Sequence, residues 1–301
     1  MRMRDSGTSA HGAGLSGMNN FDWRWSKTDI INDKDVKVFS TFSCGGGSSL
    51  GYKRAGFQVI GNVEIDPKMN DLYITNHHPK YNYCEDLRKF NERQDLPEEL
   101  YEIDILDGSP PCTSFSMAGV RDRDWGKEKQ FREGQAVQTL DDLFFVFLDT
   151  EEKLRPKIVI AENVVGMKLD FRNDAIKFGM VRSEHGKPLG ENSDMKVLLD
   201  MANENDKKLE TVLKRITGEG GKFFSAYVIK DGQVAPTITS GGGFYRLCDK
   251  TRFSDDDFRN VQSFPQDYDF KKQNVQYVCG MSVPPNMMAN IAKEIYCQWL
   301  N

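Results

Sequence analysis

Ile103-Asp104-Ile105-Leu106-Asp107-Gly108-Ser109-Pro110-Pro111-Cys112-Thr113-Ser114-Phe115-Ser116 joins a short apolar run to a stiff Pro-Pro corner and then to a cysteine. The apolar run has the length and composition of a buried strand. Proline fixes its own φ and biases the preceding residue towards extended backbone, so Ser109-Pro110-Pro111 cannot continue into a helix. Cys112 is therefore expected in a loop at the carboxyl end of the strand. The thiolate is the reactive form of cysteine, so a nucleophilic Cys112 needs surroundings that lower its pKa. A structural cysteine under a turn is the commoner fate, and the two readings separate on what else the chain brings to the same edge.

Residues 36–42 read as a buried strand that runs into Ser43-Cys44-Gly45-Gly46-Gly47-Ser48-Ser49 and a helix over 50–55. Strand, glycine turn, helix is the order of one half of a doubly wound nucleotide-binding fold. Glycine lets backbone approach a ligand closely, and Ser48 or Ser49 is placed to cap the helix. A second strand over 58–63 ends in Glu64-Ile65-Asp66-Pro67, with a carboxylate where such folds bind ribose hydroxyls. Asp66 and Pro67 read as N-cap and first-turn residue of a helix that ends near Pro79. Cys84-Glu85-Asp86-Leu87 is a third acidic strand end, and an apolar strand over 158–161 finishes in Glu162-Asn163-Val164-Val165-Gly166. The strand ends thus carry Gly, Glu, Asp, Cys and Glu in turn. In an open α/β sheet they face one crevice outside the carboxyl edge of the strands.

In this order the motifs resemble the DNA cytosine-5 methyltransferases: Phe42 with Gly46 and Gly47, Glu64, Asp86, Pro111-Cys112, Glu162-Asn163-Val164, Gln262-Ser263-Phe264-Pro265 and Gly280-Met281-Ser282-Val283-Pro284-Pro285. Pro-Pro-Cys followed by Glu-Asn-Val is the most specific part. The resemblance runs from about Val36 to the C-terminus. It implies a Rossmann-like class I sheet that uses S-adenosyl-L-methionine, with a small target-recognition subdomain. It implies Cys112 as the nucleophile at carbon 6 of cytosine and Glu162 as the group that protonates ring nitrogen 3, with Asn163 steadying the site. Phe42, Gly46, Gly47, Glu64, Ile65, Asp86, Leu87, Pro110, Ser282 and Val283 would hold the cofactor. Within that set Phe42 stacks near adenine, Glu64 takes the ribose hydroxyls, Asp86 accepts from the adenine amino group, and Ser282 and Val283 lie beside the amino-acid end.

The target base must leave the duplex stack to be reached. Double-stranded DNA is thus the implied partner, with Ser116, Arg121 and Arg123 as contacts. Arg121, Arg123, Lys127, Lys129 and Arg132 alternate with acids around Trp125-Gly126, which suits either a loop closing on phosphates or a solvated polar loop. The family's Gln-Arg-Arg type motif finds no match between Gly166 and Ala235, where Arg182 is the nearest basic candidate. Cys44 replaces a usual glycine and Met281 a usual asparagine. Three activities follow from the resemblance: the modifying half of a bacterial or phage restriction system with a cognate restriction endonuclease, a catalytically inactive DNA- or cofactor-binding homologue, or a tRNA cytosine-5 methyltransferase.

A net charge of −5 over 301 residues argues against a chain coated by nucleic acid and confines DNA contact to a cleft. Residues 168–231 hold 12 basic and 11 acidic side chains, which sets this stretch apart from the acidic remainder. Six cysteines without CxxC spacing predict a reducing, cytoplasmic compartment and no metal site. No signal peptide or membrane span is expected. The expected organisation is a disordered tail over 1–35, a cofactor-binding and catalytic domain over 36–166, a target-recognition region over 167–235 and a return to the catalytic domain over 236–301. Within these, helices are expected over 206–216, 255–261 and 284–299, the last packing beside the Gly46 loop. A hairpin of 226–230 with 234–239 is expected around Asp231-Gly232.

Overall fold

The structure, a computed structural model, describes residues 22–110, 143–162, 178–223 and 225–301. Its first half alternates β1 (Lys37–Thr41), α1 (Gly47–Arg54), β2 (Gln58–Val63), α2 (Pro67–His77), β3 (Tyr81–Tyr83), α3 (Leu87–Glu92), β4 (Ile105–Gly108), α4 (Leu143–Leu154) and β5 (Ile158–Ala161). The five strands form one parallel sheet in the order β3-β2-β1-β4-β5. The order reverses between β1 and β4, and ligands of open α/β sheets bind at that switch point.

Side chains of a strand alternate between the two faces of its sheet. Val38 on β1 and Ile105 on β4 face one apolar layer with Tyr52, Phe57, Met288 and Ile295. Their neighbours Phe39 and Leu106 face the opposite layer with Ile60, Phe90, Val146 and Phe147. Cover on both faces is what lets these strands read as unbroken apolar runs. Asp66 caps α2 by accepting from the Lys68 N–H at 2.8 Å, with Pro67 in the first turn, as the sequence predicts. Helix α1 differs. It starts three residues earlier than expected and takes Gly46 as its N-cap, without a side-chain cap. Ser48 and Ser49 lie inside the helix, and the Ser49 hydroxyl is paired with that of Tyr73 at 2.8 Å.

Beyond β5 the chain forms α5 (Phe178–Val181), α6 (Asp194–Met201), α7 (Leu209–Thr217), β6 (Ala226–Ile229), β7 (Gly243–Arg246), β8 (Thr251–Arg252), α8 (Asp255–Val261), α9 (Val275–Gly280) and α10 (Pro285–Ile295), with a π-helical turn over Tyr296–Leu300. The expected hairpin does not form. Residues 234–239 carry no strand, and β6 pairs in parallel with β7, which in turn pairs antiparallel with β8. Pro236 cannot donate to a ladder, and parallel partners need a crossover of about a dozen residues, which 230–242 supplies.

The aromatic core of this half, with Phe244, Phe253, Phe258 and Phe264, also takes in Leu50 and Leu72 from the sheet's own helices. Trp25 joins the same core at 3% exposure, and its indole N–H donates to the Ser263 carbonyl at 2.8 Å. Residues 22–35, expected as tail, are thus tied down in part by an aromatic anchor. Helix α10 packs across α1, as its apolar spacing predicts.

Candidate active site

The five sheet strands deliver their expected side chains to one edge. β1 leads into Phe42, β2 into Glu64, β3 into Asp86, β4 into Ser109-Pro110 and β5 into Glu162. The Glu162 N–H donates to the Gly108 carbonyl at 3.0 Å, so the β4 and β5 ends stay together one residue past the ladder. Pro111, Cys112, Ser116, Arg121, Arg123 and Asn163 lie outside the described residues, as does the rest of the candidate closing loop.

Phe42 and Cys44 adopt left-handed backbone, φ 52° and 44°, uncommon for side chains other than glycine. The turn then brings Gly46 (φ 74°) to the start of α1. A Cβ on Gly46 would collide with Nε2 of the His77 ring, and one on Gly47 would collide with the Val283 carbonyl. The sequence assigned these glycines to close ligand approach. The structure adds an internal reason, because the turn is clamped between α2 and the segment before α10. His77 is buried, stacked on Tyr73 with ring centroids 4.2 Å apart, and held neutral by burial and by Lys53.

A small cleft, partly open to solvent, lies over this edge. Four of its lining residues were expected: Phe42, Gly47, Ser282 and Val283. Ser40, Ser43, Ser48, Asp107, Ser109 and Met281 were not. Glu64 stands beside the glycine turn, accepting the Cys44 N–H at 2.7 Å on Oε2 and the Asp66 N–H at 2.9 Å on Oε1. A carboxylate has about four lone-pair sites, so these backbone donors leave room for a hydroxyl donor. Asp86 caps α3 by accepting the Arg88 N–H at 2.8 Å and pairs with the Arg88 guanidinium, while Leu87 and Pro110 are buried and Ile65 half-buried.

Three carboxyls of the site are held towards the neutral form. Burial pushes Glu64 up to about 7 against hydrogen bonds from the backbone of Asp66, Cys44 and Ile65. Burial likewise pushes Asp107 up to about 7, opposed by Ser40 and Tyr52 and reinforced by the Glu162 charge. Glu162 is raised by burial, with the Ser109 side chain pulling the other way. Asp107 was missed because an acid inside an apolar run reads as the end of the strand. The position of Asp107 opposite Ser40 in the β1–β4 register exists only once the strands pair.

A folded-state pKa above the unfolded one contributes stability that is complete below the unfolded value, near pH 4, and is lost as pH rises through about 7. Asp107→Asn removes one such acid. The stability lost by wild type between pH 5.5 and 8 should shrink by roughly 1–3 kcal/mol in the variant, read from urea midpoints at both pH values. An unchanged loss would mean that Asp107 ionises freely in the folded protein.

Among the described residues no group of three or more His, Cys, Asp or Glu gathers as a metal site, and no helix is long and apolar enough to cross a membrane. Residues 36–178 match the family described as C-5 cytosine-specific DNA methylase. The chain is 33% identical to the Type II methyltransferase M.NgoPII of Neisseria gonorrhoeae over 186 residues, 60% of this chain and 46% of that protein. It is 32% identical to the Type II methyltransferase M.HgiGI of Herpetosiphon aurantiacus over 135 residues, 44% of this chain and 94% of that protein. The chain spans about half the length of the Neisseria relative and a third of that of a Staphylococcus aureus one. Its fold is similar to that of a DNA modification methyltransferase encoded within an E. coli prophage, with TM-score 0.54 and 18% identity over 88% of this chain and 100% of that one. Strand order, edge chemistry and these similarities agree, and the chain belongs to the C-5 cytosine-specific DNA methylase family.

Proposed function

We propose that this chain is a DNA cytosine-5 methyltransferase, the modifying arm of a restriction-modification system, acting on a cytosine flipped out of double-stranded DNA. The observation that carries this is the junction of β4 and β5. There a half-buried Glu162, held towards its protonated form, is fixed beside the strand end from which Ser109-Pro110 leads to Cys112.

Carbon 5 of cytosine is a poor nucleophile. The Cys112 thiolate adds to carbon 6 while Glu162 gives a proton to ring nitrogen 3, and the electron pair displaced from the ring makes carbon 5 nucleophilic. S-adenosylmethionine, when bound, supplies an electrophilic methyl group on a sulfonium centre. Once carbon 5 carries the methyl group, its proton passes to water, the electron pair left behind reforms the carbon 5–carbon 6 double bond as the Cys112 thiolate departs, and nitrogen 3 returns its proton to Glu162. Asn163 steadies this arrangement.

The donor set of the edge fits that cofactor. Phe42 offers an apolar face, Glu64 has free lone pairs for ribose hydroxyls, and Asp86 lies at the next strand end beside Leu87. Ser282 and Val283 line the cleft, and Ile65 and Pro110, next in sequence to Glu64 and Ser109, are the further residues proposed to flank the cofactor. Ser116, Arg121 and Arg123 contact DNA, and 167–235 takes part in target recognition. A cognate restriction endonuclease and the bacterial cytosol complete the setting.

Tritiated methyl transfer from S-adenosylmethionine to duplex DNA, with tRNA in parallel, tests the proposal. Label in DNA at carbon 5 of cytosine is expected. Label in tRNA alone, or cofactor binding with transfer to neither, would replace it with one of the other two family activities. Within the same assay, Glu162→Gln should lower kcat by about 10²–10⁴ while changing the Kd for the cofactor little, since the loss is of proton transfer.

A further inference from the structure

Asp107 is 2% exposed at the end of β4, yet it lines the cleft. It accepts from the Ser40 hydroxyl at 3.0 Å on Oδ2 and from the Tyr52 hydroxyl at 3.1 Å on Oδ1. Among the described residues no Lys, Arg or His forms an ion pair with it. The titratable groups that face it are Tyr52 from α1, Tyr73 from α2 and Glu162 beyond β5, none of them cationic. The other described lining residues are neutral, five of them serines, so Asp107 is their one charged member. A buried carboxylate is costly unless a cation or hydrogen-bond donors meet it. Two hydroxyls meet part of that need here, and the open side of the group is the cleft.

We propose that Asp107 is a cofactor-binding carboxylate that receives the α-ammonium group of the methyl donor, an assignment that rests on the methyltransferase function proposed above. Adenine and ribose are neutral, and the donor's own carboxylate would be repelled. Of its two cationic centres the sulfonium has no N–H or O–H to donate, whereas the ammonium has three N–H donors to share between Asp107 and the serine hydroxyls around it. Ser282 and Val283, across the same cleft, are the residues proposed for the amino-acid end of the cofactor.

Binding an ammonium selects the ionised carboxylate. Burial holds Asp107 at about 7 in the free protein, so affinity should rise with pH through that value and fall again as the ligand's own α-ammonium, whose ordinary pKa is about 8, loses its proton. Glu64 titrates in the same range. The Asp107 contribution is therefore the part of the slope that a variant removes.

Calorimetric titration of the full chain with S-adenosylmethionine, S-adenosylhomocysteine and 5′-methylthioadenosine between pH 6 and 8.5 tests this. The first two carry the ammonium, only the first carries the sulfonium, and the third has no amino-acid portion. Asp107→Asn should weaken the first two about equally, by roughly 30-fold or more near pH 7.5, and leave the third unchanged. It should also reduce the slope of log affinity against pH below 7 by up to one. Weakening of S-adenosylmethionine alone would move the contact to the sulfonium and overturn the assignment, and so would equal weakening of all three. Should the variant not fold, Tyr52→Phe serves: losing a donor raises the Asp107 pKa, so the affinity profile should move to higher pH, and an unmoved profile is negative. If wild type binds neither S-adenosylmethionine nor S-adenosylhomocysteine, the proposed function itself fails. If it binds both and Asp107→Asn matches it, only the Asp107 assignment does.

Discussion

Replacing Cys112 by alanine is expected to lower methyl transfer by a factor on the order of 10⁴ or more, the scale on which covalent catalysts lose activity with their nucleophile. A loss so deep requires that no other thiol substitute. Cys44 is the first rival to consider, because it sits in the turn beside the cleft. Burial, with the Glu64 charge adding, pushes its thiol up to about 12, so only a trace is thiolate at neutral pH. Cys279 is fully buried and raised for the same first reason. Cys84, Cys248 and Cys297 are exposed, but Cys84 follows β3 at the far edge of the sheet, Cys248 follows β7 and Cys297 lies in the turn over Tyr296–Leu300, none of them on the strand ends of β4 or β5.

The check is a pair of readouts. Wild type should form a denaturant-resistant complex with DNA that carries 5-fluorocytosine, since the fluorine blocks the proton loss that would release the thiolate. Cys112→Ala should form none, yet bind S-adenosylhomocysteine within a few-fold of wild type. Activity in the variant near the wild-type level would remove Cys112 from the chemistry.

The first half of the fold is legible because its signals are local and redundant. The short runs ending in Glu64 and in Glu162 coincide with β2 and β5, and Asp66-Pro67 starts α2 as a cap and proline should. β2, buried on both faces, has little freedom to be anything else. The second half is set by pairing that no local signal encodes. Residues 234–239 alternate like a strand, but Pro236 and the parallel partnership of β6 with β7 give the ladder to residues 243–246 instead.

Helix α6 carries a local signal in the sequence. Ser193 caps it by accepting from the Lys196 N–H at 3.2 Å, and Leu198 and Leu199 follow Met195 at helical spacing. Arg246 carried none. It is fully buried within β7, where its guanidinium meets Asp257 at 3.3 Å and Asp249 at 2.7 Å, an arrangement that exists only after β7 and α8 pack. At the site, Phe42, Glu64, Asp86 and Glu162 follow the strands from which the sequence reads them. Asp107 and His77 have no such local signal, because each matters through a neighbour on another strand or helix.

Gly46→Ala is expected to destabilise the protein by about 3 kcal/mol, the sum of roughly 1–2 for left-handed backbone at a residue with a Cβ and roughly 1–3 for overpacking. The backbone contribution follows from φ 74° at the α1 N-cap. The packing contribution follows from His77, which would meet the new methyl group and has little room to retreat. Its ring is stacked on Tyr73, its backbone carbonyl accepts from Lys53 at 2.7 Å, and it is 4% exposed. If the glycine served only to let a ligand approach, Gly46→Ala would fold with wild-type stability and lose cofactor affinity alone. A clamp between α1 and α2 predicts the reverse order of events: the urea midpoint falls first, with or without ligand. Removing the ring should separate the two contributions. Contacting residues do not add independently, so Gly46→Ala should cost less in a His77→Ala background than in wild type, leaving mainly the backbone penalty. Equal costs in both backgrounds would mean that His77 does not set the glycine requirement, and the close approach at Gly46 would then have to be explained from the ligand side of the turn.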